Sequence, residues 1–136
     1  MTLRKVAIVG SKSLESMEHV YRMIDDVIQS EYATSPFVLV NGSVEGIDQM
    51  ALEVAMSRGI DYEIVPLEKC TKGCKREYCF DHSYEPRSMK IAQQSDKIYR
   101  IYDEFCGAST CEVTAGFGDK LGKQVIRIPV SAALMP

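Results

Sequence analysis

The sequence predicts an α/β fold built on a five-stranded parallel sheet. The chain has 136 residues, of which 46% are hydrophobic and 26% charged, close to the average for a soluble domain. Short runs of β-branched residues alternate with longer segments whose apolar residues recur every three or four positions. Consecutive β-α-β units give parallel strands joined by right-handed crossovers, so the pattern predicts a three-layer sandwich with helices on both faces. The length predicts one domain over residues 1–136, with strand order 3-2-1-4-5.

Five short segments have the composition of buried strands. Each is rich in Val, Ile or Tyr and is bounded by residues that favour turns. The segments are residues 5–10, 37–40, 62–65, 97–102 and 124–128.

Four segments between the strands have helical periodicity. They are expected to begin after residue 13, at residue 47, at residue 86 and after residue 109. Ser13 is the expected N-cap of the first helix, and Pro86 suits the first turn of a short third helix. Ser109, with Glu112 three residues later, predicts a capping box for the fourth helix.

Residues 68–85 interrupt this pattern, because they are polar and show neither period, and they are expected to form an inserted loop. Three thiolates and one imidazole complete a tetrahedral zinc shell, so a structural zinc ion is the metal that this segment predicts. Free thiols and a disulfide are the alternatives, of which a reducing compartment disfavours the disulfide. The four potential ligands are Cys70, Cys74, Cys79 and His82.

The charge balance limits the partners of the chain. A net charge of −3 argues against attraction of the whole surface to nucleic acid or to an anionic membrane. No apolar run approaches the ~20 residues that span a bilayer, and the first residues turn polar too early for a signal peptide, so a cytoplasmic protein without a membrane partner is expected. Single-stranded nucleic acid remains an alternative partner, because basic and aromatic residues are interleaved in the insert. These residues are Lys69, Lys72, Lys75, Arg76, Tyr78, Phe80 and Tyr84.

Three loops follow the predicted carboxyl ends of strands one, two and four, where open α/β sheets bind ligands. Each loop places small residues before a helix, whose free backbone N–H groups can hold a phosphate. Glycine and serine are also common in ordinary turns, so a purely structural role is the alternative. The candidate ligand-binding residues are Gly10, Ser11 and Lys12 in the first loop, Gly42, Ser43, Gly46 and Asp48 in the second, and Gly107, Ser109 and Thr110 in the third.

These motifs resemble those of the SLOG superfamily of Rossmann-like domains, which includes the Smf/DprA DNA-processing proteins and the Lonely Guy phosphoribohydrolases. The resemblance covers nearly the whole chain and is carried by VAIVGSK, NGSVEGID and PRSMKIAQQSD. It implies a Rossmann-like fold and a nucleotide or nucleotide-derived ligand that is bound or sensed at these loops and at Arg87. It also implies a homo-oligomer.

The segment FCGASTCEV departs from the Pro-Gly-Gly-x-Gly-Thr-x-x-Glu motif of that superfamily. Val113 stands where the phosphoribohydrolases have the Glu that acts on the ribosyl bond together with the Arg matched here by Arg87. Valine cannot accept a proton, and Glu112 is one position away, about 100° around a helix. The resemblance therefore implies nucleotide binding without hydrolysis. A phosphoribohydrolase with Arg87 and Glu112 in electrostatic roles is the enzymatic alternative.

Overall fold

A computed structural model describes residues 3–14, 17–105 and 109–130 of the chain. Within these ranges one parallel sheet has the order β3-β2-β1-β4-β5, which confirms the predicted fold class and strand order. None of the described helices is both long and apolar enough to cross a membrane. The strands are β1 (Arg4–Gly10), β2 (Phe37–Asn41), β3 (Tyr62–Ile64), β4 (Lys97–Asp103) and β5 (Gln124–Val130). The α-helices are α1 (Glu18–Thr34), α2 (Ile47–Ser57), α3 (Glu85–Gln94) and α4 (Thr110–Lys120).

Two hydrophobic cores lie on opposite faces of the sheet. Successive side chains of a strand point to opposite faces, and in β1 Ile8 packs in one core while Val9 packs in the other. The first core contains Ile24 of α1 and apolar residues of α2, and the second contains Ile91 of α3 and Cys111 of α4. The helices therefore cover both faces in pairs, as the three-layer prediction requires.

The first helix begins later than predicted. A 3-10 turn spans Lys12–Leu14, and α1 starts with Met17 at its N-cap. The prediction of Ser13 as N-cap was wrong, because the Ser13 hydroxyl donates a hydrogen bond to Oδ2 of Asp103 at 3.1 Å. That carboxylate ends β4 and is brought to the turn only by the fold.

The fourth helix begins without the predicted capping box. Ser109 occupies the N-cap but makes no side-chain cap hydrogen bond, and its Oγ lies 2.8 Å from Sγ of Cys111. The Glu112 carboxylate instead forms ion pairs with Arg100 at 2.8 Å and with Arg127 at 3.1 Å. Charge-assisted bonds to two guanidinium groups are stronger than a bond to one backbone N–H, so the carboxylate binds the two arginines instead of capping the helix.

The insert contains more local structure than predicted. A π-helical turn spans Phe80–Tyr84 and runs directly into α3. Cys79 starts this turn, because its Sγ accepts the N–H of His82 at 3.3 Å and its carbonyl oxygen accepts the N–H of Ser83 at 3.0 Å. The prediction of a loop without regular structure was therefore wrong for residues 80–85. Pro86 stands in the first turn of α3, as predicted.

A buried charge cluster joins α1 to the amino ends of β1 and β4. Glu31 is 6% exposed, and its carboxylate pairs with Arg4 at 2.8 Å and with Lys97 at 2.5 Å. The hydroxyl of Tyr99 also donates to it. Burial opposes ionisation of this carboxyl, but the hydrogen bonds from the three neighbours outweigh burial and lower its pKa. The cluster lies at the end of the sheet opposite the candidate ligand loops.

Candidate functional site

A narrow pocket lies beyond the carboxyl end of β1, between α2, α3 and α4. Its cavity volume is about 20 Å³, enough for one water molecule. Only a small group such as a phosphate oxygen can enter it without movement of the walls. Its lining residues are Val9, Gly10, Val44, Asp48, Arg87, Ser88, Ile91, Thr110, Cys111 and Thr114.

Arg87 places a buried guanidinium in the wall of this pocket. The residue is 7% exposed, and its Nε has no hydrogen-bond partner within the described residues. The guanidinium carbon lies 5.6 Å from the ring centroid of Tyr84, and a Cβ added to Gly42 would be 3.1 Å from Nε. Burial lowers the pKa of Arg87, although the charge of Asp48 opposes this effect. A buried guanidinium N–H without a partner is unfavourable, so the pocket suits an anion that can accept it.

Asp48 ties the loop after β2 to the end of β1. It is 3% exposed, and its Oδ2 accepts the N–H of Gly42 at 3.0 Å. Burial raises the pKa of Asp48 to about 6, although backbone hydrogen bonds from Gly42, Val44 and Gly10 and the charge of Arg87 all favour the carboxylate. These bonds show that Asp48 organises the loops around the pocket.

Asn41 is a site residue that sequence reasoning missed. Its side-chain amide donates to the carbonyl oxygens of Ile8 at 3.2 Å and Asp48 at 2.9 Å. Its Oδ1 accepts the N–H of Ser43 at 2.9 Å, and Ser43 adopts a left-handed φ of 56°. The available signal was a polar residue at the end of an otherwise apolar strand, since a buried amide must find hydrogen-bond partners.

Three other predicted residues of the first two loops hold the loops to each other or to the end of β4 rather than lining the pocket. Ser11 Oγ accepts the N–H of Asp103 at 3.0 Å. The ammonium of Lys12 pairs with Glu45 at 3.0 Å. Gly46 has a φ of 96°, and a Cβ there would lie 2.5 Å from the carbonyl oxygen of Ser11. This close approach requires glycine at position 46.

The third loop contributes the amino end of α4 to the pocket. Gly107 lies outside the described residues, whereas Thr110 and Cys111 line the pocket. The sulfur of Cys111 accepts a hydrogen bond from Nε of Arg100 at 3.2 Å. Glu112 is not among the lining residues, because its ion pairs direct it to Arg100 and Arg127. Four predicted site residues thus line one pocket, namely Gly10, Asp48, Arg87 and Thr110.

The four predicted metal ligands come together beside the amino end of α3. The ligand atoms of Cys70, Cys74, Cys79 and His82 all lie within 4.8 Å of one another. Nδ1 of His82 is 3.6, 3.5 and 3.2 Å from the three sulfur atoms in that order. Bonds of about 2.3 Å to sulfur and 2.0–2.1 Å to nitrogen at a tetrahedral angle put N and S about 3.6 Å apart. The cluster could therefore hold a metal ion.

The surroundings of these thiols shift the pKa values of two of them in opposite directions. The backbone N–H of Lys72 donates to Cys70 Sγ at 3.5 Å and is the main cause that lowers the pKa of Cys70 to about 6. Hydrogen bonds with Cys70 and Cys79 raise the pKa of Cys74 to about 12. A divalent cation can displace the thiol protons and bind all three sulfur atoms as thiolates.

Solved structures of other proteins share this fold. The chain is similar to DNA processing protein A (DprA) from Streptococcus pneumoniae, with a TM-score of 0.71 and 23% identity over 97% of this chain and 52% of that chain. It is also similar to DNA processing protein A from Helicobacter pylori, described for its single-stranded DNA binding mode, with a TM-score of 0.68 and 17% identity over 97% of this chain and 68% of that chain. No protein-family model and no curated protein sequence matches the chain.

A third similar structure is that of TM1055, with a TM-score of 0.64 and 16% identity over 90% of this chain and 72% of that chain. The present chain spans about half the length of the Streptococcus pneumoniae protein. At these identities the likeness shows a Rossmann-like α/β fold. The superfamily that the sequence motifs resemble stays a prediction.

Proposed function

We propose that this chain binds or senses a nucleotide, or a nucleotide-derived molecule, through a phosphate group at Arg87. The supporting observation is the buried guanidinium whose Nε lacks a hydrogen-bond partner within the described residues. A guanidinium matches phosphate with paired N–H donors. The amino end of α4, with Thr110 in the pocket wall, adds the positive end of a helix dipole. The narrow interior receives phosphate oxygens, while sugar and base lie over the loops at its mouth.

Binding is tested by a thermal-shift screen of nucleotides followed by calorimetry. A ligand at 100 times its Kd adds about 2.7 kcal/mol to the free energy of unfolding. Arg87→Met keeps the apolar stem and removes the charge, so affinity should fall by about 1.5–3 kcal/mol, or roughly 10- to 150-fold. Arg22→Met, at an exposed position on α1, is the matched control. The proposal fails if no nucleotide raises Tm, or if Arg87→Met binds as tightly as the wild type.

The stability of the ligand-free protein is a second readout for Arg87. A buried cation that is held for a ligand contributes little to the fold in the absence of that ligand. Arg87→Met should therefore leave the Tm of the ligand-free protein unchanged or raise it. A loss above about 1 kcal/mol would instead give Arg87 a structural role.

We further propose that the site binds its ligand without hydrolysing an N-glycosidic bond. Val113 offers no carboxylate, and the carboxylate of Glu112 is held by two arginines outside the pocket lining. Chromatography of nucleoside monophosphates incubated with the protein measures the release of free base. Turnover near the ordinary enzymatic range of about 1 per second would contradict this proposal, and Glu112→Gln would then test the residue responsible.

The ion that we propose for the cluster of Cys70, Cys74, Cys79 and His82 is Zn²⁺ in a closed structural site. Three sulfur ligands and one imidazole suit this ion, and the N–S distances of 3.2–3.6 Å support it. Elemental analysis of protein purified without chelator should give one zinc per chain. Zinc removal should loosen residues 68–85 and leave the cooperative unfolding of the sheet. Well under one zinc, together with loss of free thiols, would indicate disulfides instead.

A second candidate function is the binding of single-stranded nucleic acid by the exposed face of the insert. Lys72, Lys75 and Arg76 form no ion pair within the described part of the chain, and Phe80 is 46% exposed in the same segment. The similar Helicobacter pylori protein is described as binding single-stranded DNA. Such binding should weaken steeply with salt. The logarithm of the association constant should fall with the logarithm of the salt concentration, with a slope of about 0.7 for each phosphate contact.

Fluorescence anisotropy with a labelled single-stranded oligonucleotide at two salt concentrations measures this slope. Lys75→Ala combined with Arg76→Ala should reduce it, whereas Lys120→Ala, on the exposed end of α4, should not. If neither salt nor the double substitution changes the affinity for the oligonucleotide, this second candidate function is eliminated.

A further inference from the structure

The metal cluster and the ligand pocket share one continuous helical segment. His82 lies in the π-helical turn Phe80–Tyr84, and Arg87 lies in the first turn of α3, which follows without a break. Arg87 follows His82 by five positions, or about 7 Å along a helix axis. A displacement of His82 is therefore carried by the backbone to Arg87.

Two buried polar groups at the start of this segment have no hydrogen-bond partner within the described residues. Ser83 is buried, yet its Oγ has no hydrogen-bond partner within the described residues, and the same holds for Nε of Arg87. The guanidinium carbon lies 5.6 Å from the ring centroid of Tyr84, and Tyr84 is itself part of the turn. A small cavity lined by both His82 and Arg87 separates the turn from the start of the insert. The turn and Arg87 thus border the same small cavity.

The two ends of α3 are anchored differently. Ile91 and Ala92 pack in the apolar core against the sheet, whereas the buried side chains nearer the amino end, those of Arg87 and Ser88, are polar. The amino end continues into Cys79 and His82, whose metal-ligating atoms lie beside those of Cys70 and Cys74. An ion bound by all four side chains would cross-link the turn to the exposed loop. Loss of the ion would release the amino end of α3 and leave its carboxyl half in place.

From this connection we propose that metal occupancy of the Cys70, Cys74, Cys79 and His82 cluster sets the position of Arg87 and so regulates the affinity of the pocket for its phosphate-bearing ligand. The inference rests on the binding function proposed above. The coupling is reciprocal by thermodynamic linkage: if zinc raises the affinity for a nucleotide by some factor, the nucleotide raises the affinity for zinc by the same factor.

The test compares binding of adenosine monophosphate to the full chain with zinc bound and after chelation under reducing conditions. We expect affinity at least about tenfold weaker without zinc, and zinc binding tighter by the same factor in the presence of the nucleotide. Cys74→Ser should reproduce the effect of chelation, because Cys74 is a ligand in the exposed loop outside the turn. Thr71→Ser, at an exposed position of the same loop, is the matched control and should bind as the wild type does. Equal affinity with and without zinc would overturn the coupling.

Amide NMR signals distinguish a failure of this coupling from a failure of the binding function. Gly42 lies against Arg87 and outside the insert, so zinc added without nucleotide should shift its signal. If zinc-loaded protein does not bind adenosine monophosphate, binding of that nucleotide is refuted, and the Gly42 shift alone decides the coupling. An unchanged Gly42 signal, a chain that binds no zinc, or global unfolding on zinc removal would each overturn the inference.

Discussion

Replacing Gly10 with alanine tests how closely the strands and α2 approach each other beneath the pocket. Gly10 ends β1, and an added Cβ would lie 2.0 Å from the carbonyl oxygen of Ile101 and 2.6 Å from Cγ1 of Ile47. The carbonyl belongs to β4 and cannot rotate away. It also accepts the N–H of Ser11 at 3.1 Å. Relief of the overlap must therefore separate the ends of β1 and β4.

The size of the effect follows from the contacts that are disturbed. Overpacking costs about 1–3 kcal/mol. Two hydrogen bonds, from Ser11 to Ile101 and from Asp103 to Ser11, contribute about 0.5–1.5 kcal/mol each. We expect Gly10→Ala to lower the free energy of unfolding by about 2–6 kcal/mol, a large part of the 5–15 kcal/mol typical of a domain. Urea unfolding followed by circular dichroism measures this loss.

Gly116→Ala is the matched control for this prediction. Gly116 lies in α4, and an added Cβ there would meet nothing within 4 Å. Alanine at this helical position should raise stability by about 0.5–1 kcal/mol. A loss below about 1 kcal/mol for Gly10→Ala would refute the packing argument. Loss of nucleotide binding without loss of stability would assign Gly10 to the ligand instead.

Two further predictions concern buried carboxyl groups. Glu31→Gln should lower the free energy of unfolding by about 2–4 kcal/mol at pH 7, because Arg4 and Lys97 lose their shared carboxylate. Urea unfolding measures this loss, and a loss below about 0.5 kcal/mol would contradict the role of Glu31. Because the pKa of Asp48 is raised to about 6 in the folded chain, its contribution to stability is greatest below pH about 4 and falls by up to about 3 kcal/mol as the pH rises through 6. Asp48→Asn should abolish that fall. If the free energy of unfolding changes with pH in parallel for wild type and variant, the prediction is refuted.

Helices and strands with clear hydrophobic periodicity were predictable from the sequence, whereas the residues at which the helices begin were harder to predict. The strand order followed from repeated β-α-β units and right-handed crossovers. The start of α1 was misplaced because Ser13 found a partner in Asp103, 90 positions along the chain. The capping box at α4 failed for a similar reason, since Glu112 binds Arg100 and Arg127 on neighbouring strands. Local rules do not include partners that only the fold brings close.

The sequence by itself determined the α/β class and the identity of the four clustered Cys and His residues that could hold a metal ion, because hydrophobic periodicity and short residue spacing are local properties. Only the tertiary structure decided which loop residues line a pocket and which hold the loops together. Ser11 and Gly46 serve the packing of the loops, while Arg87 is buried without a partner for its Nε within the described residues. Burial and the supply of hydrogen-bond partners depend on side chains from four different elements, and these meet only when the sheet has formed.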